Sequence, residues 1–306
     1  MYRYFISIFF FYLFSFFSTE AQTNKKNTLQ ENNLKGRVKT TEEIEYGTID
    51  ATGNIEKDAD LSSKTISTYN RYGNIREQKV VDSKGIMGFK TVYKYEDNLR
   101  TKELSYNSKN KITERWMAVY NNKREIKEAY RVFEGRNIEK RINTYDNKGK
   151  LLEEKWYLNN QITHKKTHTY LDDNKTVEIK TLDPLDDVIA IEMLKYNSQG
   201  SLLEESKYNL KDSLHGKTIC LYNENKQLIE EITYNSNDII ENKTVYVYDE
   251  KGNVLEEIWY NHKNKKTSHI KNEYTFDKQG NWIKKIEYDS EIKFGAVFKR
   301  IINYYK

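Results

Sequence analysis

Proline is all but missing from this chain, with Pro184 alone among 306 residues. Cysteine is equally scarce, with Cys220 alone. A single cysteine excludes an internal disulfide framework, so stability must come from strand ladders and packing. Glycine numbers 13 and falls largely at turn positions, which excludes flexible Gly-rich linkers. Neither charge sign dominates: 51 basic residues face 46 acidic ones, spread along the chain. Without a concentrated basic patch, a nucleic-acid partner is not expected. One long uncharged run exists, Phe5 to Phe17, and no other stretch is apolar enough to cross a membrane as a helix. Arg3 precedes that run and Thr19-Glu20-Ala21 follows it. Residues 1–21 therefore read as a secretory signal cleaved after Ala21; the rival is a single transmembrane anchor, for which the run is short of the span of about 20 residues. Residues 22–36 are polar and read as a flexible lead-in. No cysteine follows the run, so a lipoprotein anchor is not expected.

What the chain has in abundance is tyrosine, 25 residues, and most of it is periodic. Aromatic anchors stand at Tyr69, Tyr95, Tyr120, Tyr145, Tyr170, Tyr196, Tyr222, Tyr248 and Phe276. Their spacings are 26, 25, 25, 25, 26, 26, 26 and 28 residues, the mark of a repeat array. A degenerate earlier copy opens at Ile49. A second turn recurs 12 residues after most anchors, at Val81, Tyr157, Leu182, Tyr208, Tyr234, Tyr260 and Tyr288. The structural step is thus about 13 residues, one strand and one turn. Asp or Asn opens each turn, where its side chain bonds the backbone ahead; Gly or Asn closes it, where φ is positive. Pro184 falls at the second turn position, where its fixed φ fits. These features predict an all-β fold: an antiparallel β-meander repeat array of about 20 strands over residues 37–306. Twist should coil or curl such an extended sheet.

Simple alternation from the turn places Tyr246, Tyr248, Val254, Glu256, Ile258 and Tyr260 on one face. Leu255, Glu257 and Trp259 then fall on the other. On this count the residue seven after the anchor lies opposite the anchor face. It is charged in early units (Arg76, Lys127) and apolar in later ones (Leu152, Leu203, Leu255). The C-terminal half is therefore expected to be apolar on both faces, under a second layer or a curl.

The motif Tyr248-Asp249-Glu250-Lys251-Gly252-Asn253-Val254, with Phe276-Asp277-Lys278-Gln279-Gly280-Asn281-Trp282, resembles the YD (RHS-type) repeat of large exported bacterial proteins. The resemblance spans most of residues 49–306. It implies a spiralling antiparallel sheet, a cell-surface or secreted setting, and a shell or binding surface with carbohydrate contact. The period here is longer than that family's usual one, and toxin encapsulation is not expected.

Little in the sequence points to catalysis. The pairs Glu153-Glu154, Glu204-Glu205, Glu230-Glu231 and Glu256-Glu257 invite comparison with glycosidase carboxylates. Neighbouring strand residues point to opposite faces, so the two members of a pair do not share a substrate. His164 and His168 share a strand face but stand about 13 Å apart, too far for one metal. No metal and no cofactor are expected. Trp116, Trp156, Trp259 and Trp282 are the candidate ligand-binding residues, because aromatic faces stack on sugars and partner side chains. The expectation is an exported, non-enzymatic protein presenting a binding surface to a carbohydrate or protein of the bacterial envelope. The alternative is a scaffold that self-assembles through its sheet edge or face.

Overall fold

The computed structural model describes residues 27–46, 61–134, 138–208, 213–291 and 294–306. The expected signal segment and the copy at Ile49 lie outside these residues. The first strands are β1 (Val38–Tyr46), β2 (Leu61–Tyr69), β3 (Ile75–Val81), β4 (Met87–Glu96), β5 (Leu99–Asn107), β6 (Ile112–Tyr120) and β7 (Ile126–Phe133). Then come β8 (Ile138–Tyr145), β9 (Leu151–Leu158), β10 (Gln161–Leu171), β11 (Thr176–Leu182), β12 (Val188–Tyr196), β13 (Leu202–Tyr208) and β14 (Leu214–Tyr222). The last are β15 (Leu228–Asn235), β16 (Ile240–Tyr248), β17 (Val254–Asn261), β18 (Lys266–Phe276), β19 (Trp282–Asp289) and β20 (Phe294–Tyr304). Each pairs antiparallel with the next, as the meander predicts.

The extended, coiled sheet is not what forms. β20 pairs with β1 from Val297↔Tyr46 to Tyr304↔Val38, so the sheet closes into a barrel of 20 strands. At about 4.8 Å per strand its perimeter is roughly 95 Å. Closed sheets of comparable strand number enclose a lumen.

Twelve turns among the described residues are copies of one design. In each, the opening Asp or Asn accepts two backbone N–H bonds at its Oδ1, from the second and fourth residues ahead. The residue after the turn pair takes positive φ, as Gly200 does at +84°. Arg124 and Lys226 hold that same position at 68° and 62°, where neither Gly nor Asn is present.

Bulges explain the closure. Sixteen of the nineteen sequential strand pairs show a register shift beside the turn; β7–β8, β10–β11 and β19–β20 do not. Each bulge bends its strand and increases local twist, so the sheet curves at nearly every hairpin.

The same bulges overturn the expected faces. Tyr248 opposes Val254, but Val247 then opposes Glu256 and Tyr246 opposes Glu257. Leu255 is the extra residue. Glu257, Trp259 and Leu255 therefore share the face of Tyr246 and Tyr248, while Glu256, Ile258 and Tyr260 face away. The apolar seventh position joins the anchor face, so no second layer is required.

Tyrosine hydroxyls stitch neighbouring hairpins together at the anchor-turn end. The β15–β16 ladder stops at Glu230↔Val245, and beyond it the Tyr248 hydroxyl donates to the Leu228 carbonyl at 2.7 Å. Tyr120, Tyr145 and Tyr170 do the same to the carbonyls of Arg100, Ile126 and Leu151. Where the anchor is Phe276, Tyr274 supplies the hydroxyl, to Val254.

Residues 27–36 depart from the flexible reading. A short helix α1 (Thr28–Glu31) carries a capping box, with Asn27 and Gln30 bonding each other's backbone N–H. Leu29 and Leu34 bury against Val38, Tyr69 and Ile75, the one cluster of buried apolar side chains described. Leu29 N–H donates to Gly73, and Lys35 exchanges two hydrogen bonds with the Asn281 side chain. The segment thus ties β2–β3 to β18–β19 across the seam. The seam itself carries an ion pair in which Arg300 Nε and Nη2 both donate to Glu43 Oε2, at 3.1 and 2.7 Å.

Tyr248→Phe should cost about 1–2 kcal/mol, since it leaves the Leu228 carbonyl short of a donor. Urea denaturation checks this, and an unchanged midpoint would remove the stitch from the account. A methyl group added at Gly200 meets nothing within 4 Å. Gly200→Ala should therefore lose about 1–2 kcal/mol from backbone strain alone.

Candidate functional site

The two faces of the barrel differ in chemistry. The anchor face carries groups whose ionisation is suppressed by burial. Glu45, Glu103, Glu231 and Glu257 are all raised, with burial the largest cause in each. Burial lifts the Tyr170 and Tyr222 hydroxyls to about 12 and the Cys220 thiol to about 11, so that thiol is unreactive. On the opposite face, a hydrogen-bonded neighbour is the largest cause for Glu128, Lys155 and Lys217, and burial for Glu204 and Lys140. Tyr130 lowers Glu128, Glu153 raises Lys155 and Asp238 raises Lys217. Buried strand residues such as Thr91, Ala129, Asn143, Glu154, His168 and Cys220 lie on the anchor face, which assigns it to the interior.

The outer face is a lattice of paired charges. Lys64–Glu42, Lys195–Glu204 and Lys180–Glu178 lie within 2.6–3.0 Å. Lysines also cover outer tyrosines, Lys90 over Tyr106 at 4.5 Å and Lys243 over Tyr260 at 4.7 Å. The Glu–Glu pairs split across the wall, as alternation requires. Glu153, Glu204, Glu230 and Glu256 point out; Glu154, Glu205, Glu231 and Glu257 point in.

Glu154 is the most buried of the inner acids, at 2% exposed. Its carboxylate takes His168 Nε2 at 3.0 Å and Arg141 Nη1 at 3.4 Å. Burial pushes this carboxyl up, but the His168 bond and the Arg141 charge outweigh it and hold it below the usual range. Being ionised, Glu154 can only accept, so His168 Nε2 carries the proton. His164 stacks on Trp156 with centroids 5.4 Å apart, and burial lowers its pKa. His168 and His164 thus serve different partners. No motif links Arg141, Glu154 and His168; the register of β8, β9 and β10 brings them together.

All four candidate tryptophans lie on the inner face, but on separate strands: β6, β9, β17 and β19. They do not form one cluster. Guanidinium groups cover three of them, Arg100 over Trp116 at 4.9 Å, Arg141 over Trp156 at 5.3 Å and Arg300 over Trp282 at 3.5 Å. Trp259 differs. It is 48% exposed, and its indole N–H donates to Glu257 Oε1 at 2.8 Å.

Among the described residues, no helix is long and apolar enough to cross a membrane, and no group of three or more His, Cys, Asp or Glu is placed to hold a metal. A family model described as an uncharacterised protein matches residues 142–276. No curated protein matches the chain. Solved structures with some likeness include a porin-like protein from Bacteroides uniformis, 10% identical, covering 87% of this chain and 96% of that one, TM-score 0.34. A porin-like protein from Bacteroides vulgatus is 12% identical, covering 89% and 99%, TM-score 0.31. A TcdB2-TccC3-Cdc42 structure is 12% identical, with 90% of this chain aligned to 19% of that one, TM-score 0.32. At such scores these likenesses carry no argument about activity.

Glu231 supplies a pH test. Its folded pKa is raised by burial and then by Glu205, so it stabilises the fold only while protonated. That stability is full below the unfolded value near 4.5 and is lost as pH rises through the folded value. Glu231→Gln should therefore melt higher than the parent at pH 7, with the difference vanishing below about pH 4. Equal melting temperatures at pH 7 would contradict an enclosed position.

Proposed function

We propose that this chain is an exported, non-enzymatic binding barrel of the YD-repeat type, whose inner face receives a polar ligand, a glycan in the first instance, at the bacterial envelope. The observation that supports this reading is the contrast between the two faces. Aromatic rings, carboxylates and small polar groups line the interior, as in sites for polar ligands. Lys–Glu and Lys–Tyr pairs cover the exterior. A barrel embedded in lipid needs an outward apolar band, and each Lys at mid-depth costs about 2–4 kcal/mol there. An exterior bearing Lys64, Lys90, Lys155, Lys180 and Lys243 suits water instead. The signal-like residues 1–21 support export.

Non-enzymatic action is proposed because three of the inner acids are held in place by structural partners. Glu154 is committed to His168 and Arg141, Glu205 to Lys207 at 2.9 Å, and Glu257 to Trp259. The scaffold alternative loses its simplest route. Both strands that would offer a free edge, β1 and β20, are spent on each other at the seam.

The test is a glycan and envelope-protein array probed with the full chain after signal removal. Saturable binding by the folded monomer is expected. A folded, monomeric sample that binds nothing on either array would sink the proposal.

A further inference from the structure

On the outer wall, the strand pair nearest the second turn is apolar in one hairpin after another. Val81↔Met87, Tyr106↔Ile112 and Val132↔Ile138 close β3–β4, β5–β6 and β7–β8. Tyr157↔Ile162, Leu182↔Val188 and Tyr208↔Leu214 continue the belt. These side chains point away from the anchor face, and among the described residues no element covers them. The belt is one pair tall, far short of the roughly 25 Å apolar band of a barrel that spans a bilayer.

Bases border the belt on its wall side. Five residues before the anchor stands a Lys or Arg in every unit but that of Tyr196, which has Ile191. In the sector from β3 to β8, the outward pairs next to the belt are Lys79↔Lys90, Leu104↔Arg115 and Tyr130↔Lys140. The ladders between hairpins set Lys90 beside Tyr106 and Arg115 beside Val132. Lys90 Nζ lies 4.5 Å from the centre of the Tyr106 ring and donates to Asn110 Oδ1 at 2.9 Å. On the other side of the belt, the turns carry Lys84, Lys109 and Lys111, and Ile86 stands 59% exposed beside Gly85.

The acids of this sector leave its basic character intact. Asp82 accepts two N–H bonds of its own turn, and Glu134 pairs with Lys111. Glu77 and Glu128 lie one outward pair deeper, opposite Val92 and beside Lys140. Elsewhere on the rim the balance reverses. Leu185 is 83% exposed, but Asp183, Asp186 and Asp187 flank it.

Six strands at about 4.8 Å make this apolar stripe roughly 25 Å long. Basic groups run along both of its borders, and one of its tyrosines lies under a lysine. That order of groups suits a bilayer surface. Aliphatic side chains enter the boundary between headgroups and chains, while ammonium and guanidinium groups meet lipid phosphates. The stripe is convex, being the outside of a barrel. A soft surface follows a convex stripe, whereas a rigid protein partner needs a matching hollow.

We propose that the second-turn rim of β3 to β8 docks on a bilayer containing anionic phospholipid, with the rest of the outer wall in water. The inference uses the outer wall only and stands apart from whatever the inner face binds.

The test uses the chain from residue 22 and vesicles of equal parts phosphatidylcholine and phosphatidylglycerol, with phosphatidylcholine vesicles as the neutral comparison. Co-sedimentation with the anionic vesicles is expected, weaker at high salt, and little with the neutral ones. Lys84→Glu with Lys109→Glu should lower the affinity about twenty-fold or more, at roughly five-fold for each lysine lost. Lys148→Glu with Lys278→Glu makes the same change in net charge at the anchor-turn end and should stay within about two-fold of the parent. A polarity-sensitive dye on Ile86→Cys should shift to the blue when anionic vesicles are added, and on Lys148→Cys it should not; Cys220 is buried and stays unlabelled. Circular dichroism checks that each variant is folded. No sedimentation with anionic vesicles, equal losses in the two double variants, or an unmoved dye at position 86 each overturns the docking surface and leaves the reading of the inner face untouched.

Discussion

The hydrogen bond from a tyrosine hydroxyl to the carbonyl of the preceding hairpin is the constraint on which the ring depends. Bulges end the main-chain ladder between hairpins two residues early, so carbonyls such as those of Ile126, Leu151 and Leu228 would lack a donor at that end. Tyr145, Tyr170 and Tyr248 provide it. The bulge curves the sheet and the tyrosine closes the gap that the bulge opens. Neither works well alone. An unsatisfied carbonyl costs about 1–3 kcal/mol, and a ladder without bulges would stay flatter. This is why the anchor is an aromatic with a hydroxyl, and why Tyr274 appears two residues before the one anchor that lacks it.

Much of this was legible from residues alone. The number of strands, their antiparallel order and the turn chemistry follow from Tyr-Asp-x-x-Gly-Asn and its variants. The faces did not, because a bulge leaves no residue type of its own. Its one trace is a pair of adjacent apolar residues, as at Val254 and Leu255, which alternation assigns to opposite sides and the fold assigns to one. A count that allowed one extra residue there would have put Glu257 and Trp259 indoors. Residues 27–36 went the same way. Their polar composition hid the capping box of Asn27 and Gln30 and the two leucines that follow.

The candidate site was legible only in part. The four tryptophans were singled out as candidate ligand-binding residues, with Trp259 assigned to the wrong face; the fold turns all four inward, and Arg100, Arg141 and Arg300 reach three of them from neighbouring strands, at sequence distances of about 15 to 18 residues that no motif links. Closure was not legible either. β1 and β20 carry no mark of each other beyond the complementary charges of Glu43 and Arg300, 257 residues apart. A ring and a coil place the same demands on every internal repeat.

That seam has a consequence for the order in which the molecule assembles. Every other strand pair joins neighbours in sequence, so each hairpin forms as its own few residues meet. The β1–β20 pair must close a loop of more than two hundred residues, at an entropic cost roughly 3 kcal/mol above that of a single hairpin. It must also wait until the final strand exists. The barrel is therefore a quick succession of local events followed by one slow, long-range step. Until that step is taken, the growing sheet has two sticky borders, and the time spent in that state sets its exposure to pairing with another chain.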